Sequence, residues 1–135
     1  MNAVKVKRED LLTKVRANRE AHRSLFLKAQ EGYRKLVIEE LDRMLAEARA
    51  GRKISRSINL AEPTDHTGDY DRVIMMLEMS VDDTVVLSAS EFDQYVRDHW
   101  AWSDRSVTMY ESYAAGLAVP KASVRNWADD AEEED

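Results

Sequence analysis

Residues 7–51 read KREDLLTKVRANREAHRSLFLKAQEGYRKLVIEELDRMLAEARAG, with apolar side chains at intervals of three and four. This spacing is typical of an amphipathic helix with one buried face. No proline interrupts the stretch, and Gly51 lies where a left-handed residue commonly ends a helix. Gly32 costs about 1 kcal/mol relative to alanine, too little to break a packed helix. We therefore predict one continuous helix over residues 7–51.

The length of this helix has a consequence for assembly. It would extend roughly 65 Å at about 1.5 Å per residue, whereas a compact chain of this size has a radius of gyration of about 14 Å. The apolar face would then need a partner beyond its own domain, most simply a second copy of the chain. The alternative is a bend near Gly32 that folds the helix back. The predicted self-association residues are Leu12, Val15, His22, Phe26, Ala29, Tyr33 and Leu36.

The remaining segments predict an α+β fold, in which a two- or three-stranded sheet and two to three shorter helices accompany the long helix. Ser88 with Glu91, which have the spacing of a capping box, or Ser90 alone, is expected to cap the start of one of these helices. Alternating or β-branched residues predict the strands. The predicted strands cover residues 4–7, 54–60 and 84–87, and the predicted helices cover residues 69–79, 89–102 and 104–115.

Charge is distributed unevenly along the chain. Residues 1–60 contain 15 Lys and Arg against 8 Asp and Glu, and residues 61–135 contain 5 against 18. The predicted domain covers residues 1–116, and the acidic segment 117–135 is expected to be a mobile tail because like charges repel. A basic first half is also typical of polyanion binding. We favour the interpretation that the basic half faces the acidic half.

Two groups of side chains are candidates for binding or chemistry. Arg16, Arg19, Arg23 and Lys28 follow one face of the long helix and could contact a phosphate backbone. Asp65, His66, Asp69 and Asp71 cluster within seven residues and could hold a divalent metal or act as acid and base. Their spacing matches no zinc or calcium motif, and helix capping explains the same residues. We assign no catalytic residue, metal or cofactor.

The chain has no cysteine, which excludes disulfides and thiol chemistry and is consistent with a reducing compartment. Its first ten residues are too charged for a signal peptide, and no apolar run approaches the length needed to span a membrane. These features predict a cytoplasmic protein without a membrane partner.

Several short motifs resemble a small protein family of unknown function that is common in tailed bacteriophages and prophages. In residues 62–102 they are DHT at 65–67, DYDR at 69–72, MLEMSVDD at 76–83, EF at 91–92, YV at 95–96 and WxW at 100–102. The opening motifs VKR at 6–8, LL at 11–12 and EGYRK at 31–35 fit as well. The resemblance covers residues 4–110 and implies a viral product acting in the bacterial host cytoplasm, with no catalytic residue to carry over.

Three functions follow as hypotheses. We favour a non-enzymatic phage protein that self-associates through its long helix, as a dimer in the simplest case, and acts by binding a host or phage protein or by building an assembly. The second hypothesis is nucleic-acid or nucleotide binding by the basic helix face. The third is metal-dependent hydrolysis at the acidic loop.

Overall fold

A computed structural model describes residues 3–54, 58–97, 99–101 and 104–123 of the chain. The elements of this part are β1 (Ala3–Lys7), α1 (Arg8–Arg49), α2 (Thr67–Met79), β2 (Thr84–Ser88), α3 (Ala89–Val96) and α4 (Asp104–Ala114). The predicted α+β class is confirmed, with a long N-terminal helix and several shorter ones. The sheet of the described chain has two strands.

Helix α1 is continuous over 42 residues, and it passes through Gly32 without interruption. It ends close to the predicted position, with Gly51 at a φ of 74°. The Gly51 N–H donates to the Ala48 carbonyl at 3.1 Å, and the Arg52 N–H donates to the Glu47 carbonyl at 2.9 Å. This pair of bonds is a Schellman motif, which satisfies carbonyls left without partners in the last turn.

Gly32 has a packing role that its position in the helix alone does not reveal. A Cβ atom at this position would overlap the carbonyl oxygen of Tyr113 and lie 2.7 Å from the carbonyl carbon of Tyr113. The last turn of α4 therefore approaches α1 more closely than any residue with a side chain would permit. Glycine is required here by contact between two backbones, not by flexibility of the helix.

Strands β1 and β2 pair antiparallel although about 80 residues separate them. Val4 lies opposite Leu87 and Val6 lies opposite Val85, so four apolar side chains share one face of the sheet. Leu87 is buried and the three valines are half-buried, whereas Lys5 on the other face is exposed. The alternation of valine and lysine in β1 is thus the pattern of a strand with one covered face.

The predicted strand over residues 54–60 is wrong for the residues that the structure describes. Residues 54 and 58–60 have no regular secondary structure, and residues 55–57 lie outside the described chain. Single hydrogen bonds to residues distant in the chain occur here. The Ala61 N–H donates to the Val119 carbonyl at 2.8 Å. The Asn59 side chain accepts a backbone N–H from the segment after α4. These single contacts replace the ladder that a strand would need.

Helix α3 begins as predicted and ends early. The Ser88 side chain accepts the Glu91 N–H while the Glu91 side chain accepts the Ser88 N–H, so the predicted capping box is confirmed. The helix stops at Val96 because Arg97 has an extended backbone, with ψ of 137°. The Arg97 carbonyl accepts a hydrogen bond from the Asn18 side chain at 3.1 Å, which holds this turn against α1.

The chain divides into two compact units, each of which includes part of α1. Unit 1 comprises Met1–Ser24 and Asp65–Val107, and unit 2 comprises Leu25–Thr64 and Thr108–Asp135. Buried side chains in unit 1 are Leu11, Leu12, Val15, Asn18, His22, Thr67, Tyr70, Leu77 and Leu87. Those in unit 2 are Phe26, Ala29, Leu60, Ala61, Pro63, Tyr110, Tyr113 and Val119.

The segment after α4 packs further than the predicted tail boundary at residue 117 suggests. Val119 is buried, and its carbonyl accepts a hydrogen bond from the Tyr113 hydroxyl at 3.1 Å. The single proton of this hydroxyl is shared with the Ala61 carbonyl, and burial raises the pKa of Tyr113 to about 12. Residues 124–135 lie outside the described chain. In the part that is described, no helix combines the length and the apolar character needed to cross a membrane.

Candidate functional site

The basic face of α1 meets carboxylates of its own chain. Arg16 lies 2.9 Å from Glu78, and Arg19 lies 2.5 Å from Asp71. The side-chain hydrogen bond and the charge of Asp71 raise the pKa of Arg19. Within unit 1, the predicted polyanion-binding arginines are therefore matched by acidic residues of α2, as the favoured interpretation of the charge asymmetry expects.

Asp65 receives the third arginine of this face. Arg23 lies 2.6 Å from Asp65, and the backbone N–H of Thr67 donates to Asp65 at 2.9 Å. The Thr67 hydroxyl donates to the same carboxylate. Burial alone would raise the pKa of Asp65, but the hydrogen bonds from Thr67 and the charge of Arg23 lower it overall. Asp65 thus organises the turn that precedes α2, which is the capping role considered from the sequence.

Lys28, the fourth residue of the predicted basic face, lies in unit 2. It lines a hollow of about 170 Å³ together with Gly32, Lys35 and Tyr113. Lys35 lies 3.3 Å from Glu31, one turn away on the same helix. The four basic residues therefore have different neighbours: the three arginines face carboxylates of unit 1, whereas Lys28 borders this small hollow.

His22 connects α1 with the turn before α2. Its ring is fully buried and contacts the ring of Tyr70 at a centroid distance of 5.6 Å. The backbone N–H of His66 donates to His22 Nε2 at 3.0 Å, so Nε2 acts as an acceptor and the ring is neutral. Burial lowers the pKa of His22, although Asp65 opposes the shift from 3.4 Å away.

The four residues of the acidic loop do not converge on a metal position. Asp65 and Asp71 face Arg23 and Arg19, as described above. Asp69 Oδ2 lies 3.7 Å from the ring of His66, and Asp69 Oδ1 lies 3.7 Å from Arg72. Among the described residues, no group of three or more His, Cys, Asp or Glu side chains is placed to hold a metal ion.

An aromatic cluster in unit 1 includes one end of the WxW motif. The Trp100 ring contacts Tyr70 at 4.9 Å and Tyr95 at 5.3 Å, both in edge-to-face geometry. Such contacts are typical of packing between aromatic side chains. Trp102 lies outside the described chain.

Most of the predicted self-association residues are covered by their own chain. Leu12, Val15, His22, Phe26 and Ala29 are buried, and Tyr33 and Leu36 are half-buried. The first five are therefore not accessible to a second copy while the units remain folded. Self-association stays a prediction, and any surface of α1 that serves it must consist of residues other than these five.

Three of the four large apolar residues that are exposed on α1 lie toward its C-terminal end, and the fourth, Leu27, is 46% exposed near the middle of the helix. Ile38, Leu41 and Leu45, which we call the terminal stripe, are 56%, 50% and 48% exposed. They lie within about 60° of the helix circumference at about 100° per residue. Periodicity placed Leu41 and Leu45 on the apolar face of the helix, but only tertiary contacts distinguish covered from uncovered positions. The spacing of 38, 41 and 45 shows that these side chains form one row on the helix, but it does not show that the row is exposed.

Comparisons with protein-family models, with curated proteins and with solved structures find no match for this chain. The phage resemblance therefore stays a prediction based on the motifs given above.

Proposed function

We propose that this protein is a non-enzymatic phage or prophage protein of the bacterial cytoplasm that self-associates through the terminal stripe of α1. In this proposal it acts by binding protein or by building an assembly. The observation that carries the proposal is the exposure of Ile38, Leu41 and Leu45 on one face of a regular helix. Scattered exposed apolar residues are ordinary, but an aligned row is typical of an interface.

The arrangement of the terminal stripe supports a helix-to-helix contact. The intervals of three and four residues between its members follow the seam of a coiled coil. Arg43, on a different side of this segment, is held by Glu40 and Glu47, each at 2.7 Å. These local ion pairs support helical structure in a segment whose apolar row is half exposed. The segment can therefore present the row without depending on a partner for its helical form.

The size of the stripe sets the expected strength of association. A standard stable interface buries about 800 Å² on each partner, and three half-exposed side chains supply far less apolar area than that. We therefore expect a weak, concentration-dependent dimer from this surface alone.

The contacts of the acidic loop and of the basic helix face support a binding role for the protein better than a catalytic one. Asp65 and Asp71 are each engaged by an arginine of α1, and His22 accepts a backbone N–H. These contacts explain why the acidic loop and the basic helix face occur in one chain, without requiring a substrate. Binding of a polyanion by this face would require Arg16, Arg19 and Arg23 to exchange carboxylates for phosphates.

Sedimentation equilibrium of the full chain, from micromolar to near-millimolar concentration, tests the proposal. We expect the average mass to rise with concentration. The double variant Leu41→Gln/Leu45→Gln should weaken this rise without changing the far-ultraviolet circular dichroism, because both side chains are already half in water.

A matched control is Leu117→Gln, which also replaces an exposed leucine but lies outside the terminal stripe. It should associate like the wild type. A wild-type protein that stays monomeric throughout the concentration range overturns the proposal. So does a Leu41→Gln/Leu45→Gln variant that associates as strongly as the wild type.

A further inference from the structure

Helix α2 has a second exposed apolar surface, which we call the methionine face. It consists of Met75, Met76 and Met79 on the helix and Val81 just after it. Met79 is 75% exposed and Val81 is 93% exposed. The three methionines and Arg72 lie within roughly 100° of the helix circumference. The helical spacing places the methionines opposite Tyr70 and Leu77, but only the packed structure shows that they are exposed.

The other sides of α2 are accounted for by contacts within unit 1. Tyr70 and Leu77, on the side opposite the methionine face, are buried. Asp71 and Glu78 form a second side, where they pair with Arg19 and Arg16. The methionine face is thus the side of α2 that the described chain leaves exposed. Methionine is flexible and polarisable, and it is common at surfaces that contact other proteins.

Charges at the two ends of the methionine face have opposite sign. Arg72, with an 83% exposed side chain, lies at the N-terminal end, 3.7 Å from Asp69. Asp82 and Asp83 are exposed and lie at the other end, just after the helix. Asp69 offsets part of the Arg72 charge, but the guanidinium is the more exposed of the two groups. A surface with an exposed cation at one end, apolar side chains in the middle and carboxylates at the other end is complementary to itself when a second copy is turned through 180°.

We propose that the methionine face of α2 binds the same face of a second copy in an antiparallel, two-fold contact. In this contact Met76 packs on Met79 of the second copy, and Arg72 lies beside Asp82 and Asp83 of the second copy. A parallel contact would instead place arginine on arginine and aspartate on aspartate. The charges at the two ends therefore favour a second copy of the chain as the partner and an antiparallel direction for the contact.

The consequence for assembly depends in part on the function proposed above. If the terminal stripe also pairs two copies, each chain has two separate two-fold contacts. Such a chain forms species larger than a dimer, either a closed tetramer or an open filament. The methionine face by itself produces only a dimer, so the two contacts can be separated by mutation.

The test uses the full chain in the Leu41→Gln/Leu45→Gln background, in which the terminal stripe is disabled. Sedimentation equilibrium should still show a dimer, and adding Met76→Glu/Met79→Glu should leave a monomer. A background variant that is monomeric at all concentrations overturns the inference and leaves the proposed function intact. Conversely, if only the methionine substitutions reduce association, the methionine face is supported and the proposed function fails.

A charge exchange tests the direction of the contact in the same background. Arg72→Glu alone and Asp82→Arg/Asp83→Arg alone should each weaken the dimer, because like charges then face each other. The triple charge exchange should restore dimerisation, since each opposite pair is rebuilt across the two-fold axis. If the triple variant dimerises as weakly as Arg72→Glu and as Asp82→Arg/Asp83→Arg while its circular dichroism is native, the antiparallel contact is wrong. Leu117→Gln serves again as the control and should leave the dimer unchanged.

Discussion

The two ends of helix α1 have similar apolar spacing and very different surroundings. Near the start, Leu12 is 2% exposed and its neighbours along the same face are also buried. Near the end, Leu41 is 50% exposed and lies in a row of residues that are exposed to a similar degree. The comparison shows that periodicity identifies an apolar face but does not show what covers it.

The polar residues of the two ends differ in the same way. Arg19 reaches Asp71, a residue 52 positions along the chain, whereas Arg43 pairs with Glu40 and Glu47 in neighbouring turns. The first end is therefore held by tertiary contacts, and the second end is supported by contacts within the helix.

Replacing the same residue type at the two ends measures the difference directly. Leu12→Ala should lower the free energy of unfolding by about 2–5 kcal/mol, because it removes buried methyl groups and leaves a cavity. Leu41→Ala should change the free energy of unfolding by no more than about 0.5 kcal/mol, because the Leu41 side chain is half in water and its truncation leaves no enclosed cavity. Urea unfolding followed by circular dichroism measures both. Equal effects would show that the end of α1 is covered in solution.

Gly32 lies between the two ends, where α4 approaches the helix. Gly32→Ala should destabilise the protein by about 1–3 kcal/mol, because the new methyl group must displace the backbone at Tyr113. This loss competes with a gain of about 1 kcal/mol from the higher helix propensity of alanine. Thermal unfolding gives the sign of the net change.

Gly68→Ala is the matched control for that substitution. Gly68 is also helical, but a Cβ at this position meets no atom within 4 Å. The variant should be neutral or more stable than the wild type. A stabilised Gly32→Ala variant would show that the close approach of α4 is absent in solution.

The buried end of α1 should also respond to pH through His22. Burial lowers the pKa of His22 in the folded protein, so the unfolded chain binds the proton more readily. The free energy of unfolding should therefore fall as the pH drops below about 6.5, the ordinary histidine value. One proton limits the slope to about 1.4 kcal/mol per pH unit.

Urea titrations between pH 8 and pH 5 on the wild type and His22→Gln measure this contribution. Asp65, Arg23, His66 and Tyr70 surround the ring, and among these Asp65 opposes the shift in the His22 pKa. The lowered pKa of Asp65 affects stability only at more acidic pH, where its carboxylate becomes protonated. The variant should have a shallower slope, and an unchanged slope would rule out His22 as its source.

The smallest expected effect concerns the ion pair between Arg19 and Asp71. A double-mutant cycle with Arg19→Ala and Asp71→Ala should yield a coupling of about 0.2–1 kcal/mol, because both side chains are partly in water. Salt should reduce this coupling. The Arg43→Ala and Glu47→Ala cycle at the other end should give a coupling no larger than this, because Arg43 is exposed to solvent and both partners lie on one helix. A larger coupling between Arg43 and Glu47 than between Arg19 and Asp71 would contradict the view that tertiary contacts hold the first end of α1 more strongly.

Elements defined by local pattern were predicted well. The extent of α1, the left-handed glycine at position 51, the capping box at Ser88 and the strand at residues 84–87 all follow from residues close together in the chain. The strand over residues 54–60 was wrong where the structure describes it. Its alternation is real, but β2 pairs with β1 instead, and the segment is held by single contacts to distant residues.

The binding surfaces required more than pattern. Leu12 and Leu41 satisfy the same helical periodicity, yet one is buried and the other is exposed. Likewise, the sequence showed that basic and acidic residues are segregated, but not that Arg16, Arg19 and Arg23 meet Glu78, Asp71 and Asp65. The partners in these three pairs are 42 to 62 positions apart in the chain, so no local pattern shows that they face each other.

Helix, cap and strand propensities come from hydrogen bonds and side-chain spacing within a few residues, so the sequence alone was sufficient to predict the long helix and the α+β class. Which part of that helix is covered depends on segments that return from far along the chain, such as Tyr70 in unit 1 and Tyr113 in unit 2. The tertiary structure alone therefore identified the terminal stripe and the methionine face, because exposure is a property of the whole packed chain and not of any local segment.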